Sequence, residues 1–252
     1  MRILLTNDDG FFAHGLQTLY NVLSENNQHD ICIVAPEGQR SAVGRSITLF
    51  QPIFVNNHKL KGNDYGLAVN GTPTDCVKLA IQGDILPYQP DLIISGINNG
   101  PNLGSDVFYS GTVAAAMEGV LLGIPSIAVS LADYDCEDYA PSAQFIKELI
   151  DGNSDFIHYK EGLLNINVPP LTRNAWHGKR VTRLGRSVYD NAFEFRKSPN
   201  GKEYYWITGT LLYDEEPDTD HRAIQEGYVS VTPLHCDLTD YTRMKDLEKA
   251  KE

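Results

Sequence analysis

The chain predicts a three-layer α/β fold built on a mostly parallel sheet, and three observations carry that expectation. Short, continuous apolar runs such as Ile3 to Leu5, Ile31 to Val34 and Leu92 to Ile94 alternate with segments whose apolar residues recur at helical spacing. Uninterrupted apolar strands between amphipathic helices belong to parallel sheets covered on both faces. Beyond Pro169-Pro170 the pattern changes to aromatic and polar segments, which predicts a β-hairpin extension late in the chain.

Taken in order, Ile3 to Leu5 is a strand. Leu16, Leu19, Tyr20 and Leu23 then share one helical face, and Ile31 to Val34 completes a β-α-β unit. Ser46 to Val55 and Tyr65 to Val69 read as strands. Thr72-Pro73-Thr74-Asp75 opens a helix, with Thr72 as N-cap and Pro73 in the first helical position. The grammar resumes with Leu92 to Ile94, a helix carrying Val113, Met117, Val120 and Leu121, the strand Ile127 to Val129, a helix with Phe145, Ile146, Leu149 and Ile150, and the strand Leu163 to Val168. Phe193, Phe195, Tyr204, Tyr205 and Trp206 flank the turn Ser198-Pro199-Asn200-Gly201, the signature of a hairpin, and Asp240 to Glu252 is charged and helical in pattern. The architecture is Rossmann-like. With no repeat and no linker, residues 1–252 form one domain, of which about 186–235 is a projecting hairpin extension whose aromatics suit either their own domain or an oligomer contact.

Charge and cysteine usage exclude several function classes. The chain has 33 acidic against 21 basic residues, a formal net charge of -12, and its basic residues never run longer than a dipeptide. A surface that tracks a nucleic-acid polymer is therefore not expected. Cys32, Cys76, Cys136 and Cys236 are scattered and form no C-x-x-C pair, which predicts reduced thiols rather than a zinc or redox site. No stretch approaches the roughly 20 apolar residues of a membrane helix. A cytoplasmic protein without membrane partners is the expectation.

The chemistry gathers at strand ends. Asn7-Asp8-Asp9-Gly10 leaves the first strand, which puts two carboxylates at the carboxyl edge where open α/β sheets bind ligands. Such a pair repels unless one acid protonates or a hard cation sits between them, although Asp-Gly is also ordinary turn chemistry. Ser95-Gly96-Ile97-Asn98-Asn99-Gly100-Pro101-Asn102 leaves another strand at the same edge. Its amide oxygens suit a hard metal and its glycines a close phosphate, or the loop is simply structural. Ser110-Gly111-Thr112 begins a helix whose free N–H groups can receive an anion, and Ser110 or Thr112 can equally cap it. In the loop Ala35 to Ser46, Ser41 is a candidate ligand and Arg40 or Arg45 a candidate phosphate contact.

Seven blocks, in order and spanning nearly the whole chain, resemble the survival protein SurE family of nucleotidases: TNDDG, RSAVGRSIT, GTPTDCVKLA, SGINNGPNLG, YSGTVAAAMEG, LLNINVP and GYVSVTPLH. The resemblance implies a phosphatase of nucleoside 5′-monophosphates, and in some cases of 3′-monophosphates and short polyphosphate. It implies one divalent ion per subunit, Mg²⁺ or Mn²⁺, with Asp8, Asp9, Ser41 and Asn98 as ligands and Asp8 and Asp9 as the catalytic acids. Arg45 and Asn99 occupy positions that vary in the family. A homodimer or homotetramer is implied as well. By spacing, Asn98, Asn102, Ser110, Gly111 and Thr112 address the phosphate, so replacing Thr112 is expected to weaken phosphate binding and leave metal affinity intact. Whether water or the Asp8 carboxylate attacks phosphorus stays open, because both uses need the same residue in the same place.

Rival readings need other residues. A receiver-like signalling module also carries an acidic pair after its first strand, but it needs a phospho-accepting Asp at a later strand end, where this chain has Ser95 and Asn98. A haloacid-dehalogenase phosphatase needs Asp-x-Asp, whereas these acids are adjacent. A non-catalytic nucleotide-binding protein would keep the glycine loops without depending on Asp9 for turnover.

Overall fold

The structure, a computed structural model, describes residues 1–26, 28–61, 65–152, 161–212 and 216–249. A nine-stranded sheet runs in the order β3-β4-β2-β1-β5-β6-β7-β13-β8. Its left half comprises β1 (Arg2–Thr6), β2 (Asp30–Pro36), β3 (Val55–Lys59) and β4 (Tyr65–Val69). The right half comprises β5 (Leu92–Asn99), β6 (Ser126–Leu131), β7 (Gly162–Val168), β8 (Lys179–Val181) and β13 (Val229–His235). The ladders from β4 through β7 are parallel, while β3 on β4 and β13 on β7 are antiparallel.

Burial explains the layers. Along β1, Ile3 and Leu5 pack on one face and Leu4 on the other, as the period of two along a strand requires. Helices α1 (His14–Ser24) and α4 (Ala140–Gly152) cover the first face; α2 (Pro73–Gln82) and α3 (Gly111–Leu121) pack together on the second. Leu16, Leu19, Tyr20 and Leu23 are all buried, so the predicted stripe of α1 is its core face, each side chain contributing roughly 1.5–3 kcal/mol by leaving water. Helix α2 starts where expected: the Thr72 hydroxyl accepts from Asp75 N, the Asp75 carboxylate accepts from Thr72 N, and Pro73 follows the cap.

The sequence places a strand at Ser46 to Val55, but pairing with β4 begins only at Val55. Residues 46–54 instead serve as a strap. Asp75 accepts from the Thr48 N–H at 3.0 Å and from its hydroxyl at 2.6 Å, and Thr72 Oγ1 donates to Ser46 O at 2.8 Å. These side-chain bonds stand where a strand ladder was expected.

The hairpin is present as β10 (Phe193–Lys197) on β11 (Glu203–Ile207), with β9 (Val188–Asp190) and β12 (Thr210–Leu212) forming a second short ladder beside it in the chain. The segment outside the main sheet is narrower than 186–235, because β13 returns to pair with β7 and β8, after the short helix α5 (Asp220–Gln225). A last helix, α6 (Tyr241–Lys249), matches the predicted charged helix, whose residues 250–252 lie outside those described. Among the described residues no helix is long and apolar enough to cross a membrane, and the four cysteines are free thiols.

Candidate functional site

Strand order reverses at β1: the chain builds β2 and β4 to one side of it, then β5, β6 and β7 to the other. In an open parallel sheet that reversal leaves a crevice beyond the carboxyl ends of the two central strands. Asp8 and Asp9 leave β1 at this point, and Asn98 and Asn99 end its neighbour β5.

The acidic turn is held by its own residues. Buried Asn7 donates from Nδ2 to Gly10 O at 2.9 Å and accepts from Gly10 N at 3.1 Å, closing the turn around both acids. Gly10 has φ +110°, which favours glycine, and a Cβ there would lie 3.0 Å from the Gly38 backbone. Adjacent residues then point to opposite sides. Asp8 faces α3, where a Cβ on Gly111 would come within 2.8 Å of its carboxylate, and Asp9 lines a cavity on the α1 side.

Asp8 is bound tightly to its neighbours. The buried Thr112 hydroxyl donates to Asp8 Oδ1 in a short hydrogen bond and stands 3.3 Å from Asn98 Oδ1, so one side chain gathers both oxygen donors. The Thr112 backbone N–H also supports the carboxylate. Burial pushes the Asp8 carboxyl up to about 6; Thr112 opposes that rise, and neighbouring Asp9 adds to it. Burial also raises Asp9, against a hydrogen bond from Asn99 N to Asp9 Oδ2 at 3.0 Å.

Asn98 owes its position to a bulge. The β5–β6 register is regular to Ser95↔Ala128 and resumes at Asn98↔Ser130, one extra residue on β5. A bulge re-aims the side chains after it, and Asn98 Nδ2 then donates to Gly100 O at 2.8 Å. Its oxygen is left facing Thr112 and Asp8. The Asp8 and Asn98 oxygens thus meet at Thr112, while the Asp9 carboxylate, bonded to Asn99 N, stands at the same pair of strand ends; carboxylate and amide oxygens are hard donors of the kind that Mg²⁺ or Mn²⁺ accepts. Among the described residues no three His, Cys, Asp or Glu side chains gather as a metal cluster.

The remaining expected residues divide. Ser41 is exposed, and its hydroxyl accepts from Gln39 Nε2 at 3.0 Å, but its loop is tied to the acidic turn by Arg40 N donating to Asp8 O at 2.6 Å. Ser110 caps α3, accepting from Val113 N at 3.1 Å. Thr112, expected at the phosphate, has its hydroxyl on Asp8. Asn102 is expected there too. It is buried, its amide donates to Ser130 Oγ at 2.8 Å, and its backbone is held by Asn165 and Asn167. It anchors the loop. Arg45 is drawn to the buried carboxylate of Glu118 at 3.6 Å, which Lys78 shares at 3.4 Å, and so serves the strap.

Sequence reasoning missed Asn7, Asn165, Asn167 and Asp220. Asp220 is wholly buried and accepts from Gly104 N, Gly185 N and His221 N at 2.8, 2.8 and 2.9 Å, fixing the far end of the Asn98 loop. The usable signal was a set of polar residues inside or next to apolar strands, such as LLNINVP, where an unpartnered amide would be costly.

Fold and crevice together define an open-sheet α/β protein with an acidic site at its topological switch point. A family model for survival protein SurE matches residues 3–191. The chain is 58% identical over 251 residues to a 5′-nucleotidase SurE of Desulfitobacterium hafniense, covering 99% of this chain and 97% of that one. It is 51% identical over 252 residues to a 5′-nucleotidase SurE of Pelotomaculum thermopropionicum, covering 99% and 95%. The crystal structure of the SurE protein from Aquifex aeolicus superposes with a TM-score of 0.80 at 36% identity, covering all of both chains. The chain belongs to the survival protein SurE family.

Proposed function

We propose that the chain is a divalent-metal-dependent 5′-nucleotidase that hydrolyses nucleoside 5′-monophosphates to nucleoside and phosphate, with 3′-monophosphates and short polyphosphate as further candidate substrates. What carries the reading is the placement of Asp8, Asp9 and Asn98 at the paired ends of β1 and β5, with Asp8 and Asn98 sharing Thr112, in a chain whose curated relatives bear the name 5′-nucleotidase.

Asp8, Asp9 and Asn98 would hold the ion, with Ser41 completing the set once its hydroxyl leaves Gln39. A bound Mg²⁺ or Mn²⁺ would supply Lewis-acid stabilisation of charge on the phosphoryl oxygens. The protein's own part is positioning. Thr112 fixes the Asp8 carboxylate, Asn99 N fixes Asp9, and Gly100 O turns the Asn98 amide. Ser110 and the Gly111 N–H, at the positive end of α3, offer the phosphate a seat beside Asp8.

Two wider readings accompany the activity. The reduced thiols and the absence of a membrane-crossing helix among the described residues support residence in the cytoplasm. Exposed Phe193, Phe195, Tyr205 and Trp206 on the hairpin support a homodimer or homotetramer.

The test is phosphate release from adenosine monophosphate by the purified chain in Mn²⁺, with and without a chelator. Turnover that stops on chelation and returns with added metal is expected. Nucleotide binding without turnover in any divalent metal would identify a binder instead.

A further inference from the structure

Beside Asp9, on the side of the sheet away from α3, lies a cavity of about 320 Å³, within the roughly 300–1,000 Å³ of small-molecule sites. Its polar wall is Asp9, His14, Gln39, Asn99, Glu137 and Tyr139. Neither lysine nor arginine lines it, so its fixed charges are two carboxylates.

The wall is built firmly. Tyr139 is buried, and its ring meets His14 edge-on at 5.4 Å between centroids. The loop carrying Glu137 is pinned on both sides: Asp133 Oδ1 accepts from the N–H groups of Asp135 and Cys136 at 2.7 and 3.1 Å, and Asp138 Oδ1 from Ala140 N at 3.2 Å. Glu137 itself is exposed and lines the cavity.

The geometry points to this cavity as the seat of the ribonucleoside half of the substrate, with Glu137 accepting hydrogen bonds from the ribose hydroxyls. This deepens the nucleotidase reading and rests on it. A phosphate held between Asp8, Asp9 and the start of α3 would carry its ester group next to this cavity, because Asp9 lines the cavity wall. Its chemistry then selects the occupant. A carboxylate with neither lysine nor arginine beside it in the cavity wall accepts hydrogen bonds from a neutral diol, as the acidic residue of dinucleotide-binding folds does from a ribose hydroxyl, and it repels a second phosphate. The site should prefer nucleoside monophosphates with free 2′- and 3′-hydroxyls over 2′-deoxynucleotides and over nucleoside 3′,5′-bisphosphates.

The test compares wild type, Glu137→Gln and Glu137→Lys. Steady-state kinetics in Mn²⁺ would use adenosine monophosphate, adenosine 3′,5′-bisphosphate and p-nitrophenyl phosphate, which shares the phosphate but lacks the sugar. Hydrogen bonds to a charged acceptor are worth about tenfold or more in binding. Glu137→Gln should therefore lower the ratio of kcat/KM for adenosine monophosphate to that for p-nitrophenyl phosphate about tenfold, mainly through KM. Glu137→Lys should shift preference toward the bisphosphate. Calorimetric titration of adenosine, which has no phosphate, should show weaker binding to Glu137→Gln. Ratios and adenosine affinity equal to wild type in both variants would overturn the assignment. Should wild type fail to hydrolyse adenosine monophosphate at all, the nucleotidase reading falls, while adenosine binding still decides the cavity's role.

Discussion

Thr112 shows how much one hydroxyl can organise. It touches Asp8 and Asn98, which come from two strands, so its removal loosens two expected ligands at once. Partners that orient a metal ligand are commonly worth 10–100-fold in metal affinity. Thr112→Val should therefore weaken Mn²⁺ binding by about that factor in a calorimetric titration, the reverse of what the sequence alone suggests. Unchanged affinity would return Thr112 to the phosphate. Asp75 is a second pivotal residue. Burial pushes its carboxyl up, yet hydrogen bonds from Thr48 and Thr72 outweigh burial and hold it below its ordinary value. Asp75→Ala removes both the capping box and the strap, so a loss of about 1–3 kcal/mol is expected from denaturant unfolding. The sign with pH follows from the lowered folded value. Asp75's contribution is complete above roughly pH 4, and is lost as pH falls through that point to the folded pKa. The acid limb of wild type minus Asp75→Asn should show it.

At the scale of elements, close packing between α1 and β5 sets the crevice. A Cβ on Gly15 would sit 2.1 Å from Ile97 O, against backbone that cannot rotate away. Gly15→Ala gains at most about 1 kcal/mol in helix preference, and overpacking of this kind costs about 1–3 kcal/mol. Net destabilisation in thermal unfolding is the expected outcome, with nucleotide turnover falling as β5 shifts. The strands and helices that form this contact were legible because their apolar period matched their burial, as with Leu16, Leu19, Tyr20 and Leu23. The acidic pair was legible because it follows a strand directly. The bulge that turns Asn98 was not, since one extra residue in an apolar run leaves the pattern intact. Nor was the strap at 46–54, where Thr48, Thr72 and Asp75 overrule an alternating sequence from a distance of up to 27 residues. The bonds that Asn102 makes were not legible, because loop amides that bind a ligand and loop amides that tie a loop look alike until Asn165 and Asn167 are seen beneath them.

For the whole molecule, the sheet delivers two strand ends to one crevice while the β10–β11 hairpin pairs outside the nine-stranded sheet. If the exposed aromatics of β10 and β11 meet a second copy, Phe195→Lys with Trp206→Lys should halve the mass measured by light scattering, with little change in the thermal midpoint. An unchanged mass would assign those rings no role in assembly. The central claim is more local: oxygens from the ends of β1 and β5 hold one divalent ion. Crystals soaked in Mn²⁺ and measured for anomalous scattering test it most directly. The account predicts a single strong peak at roughly 2.0–2.6 Å from oxygens of Asp8, Asp9 and Asn98. A peak elsewhere on the chain, or none between those three side chains, would contradict it.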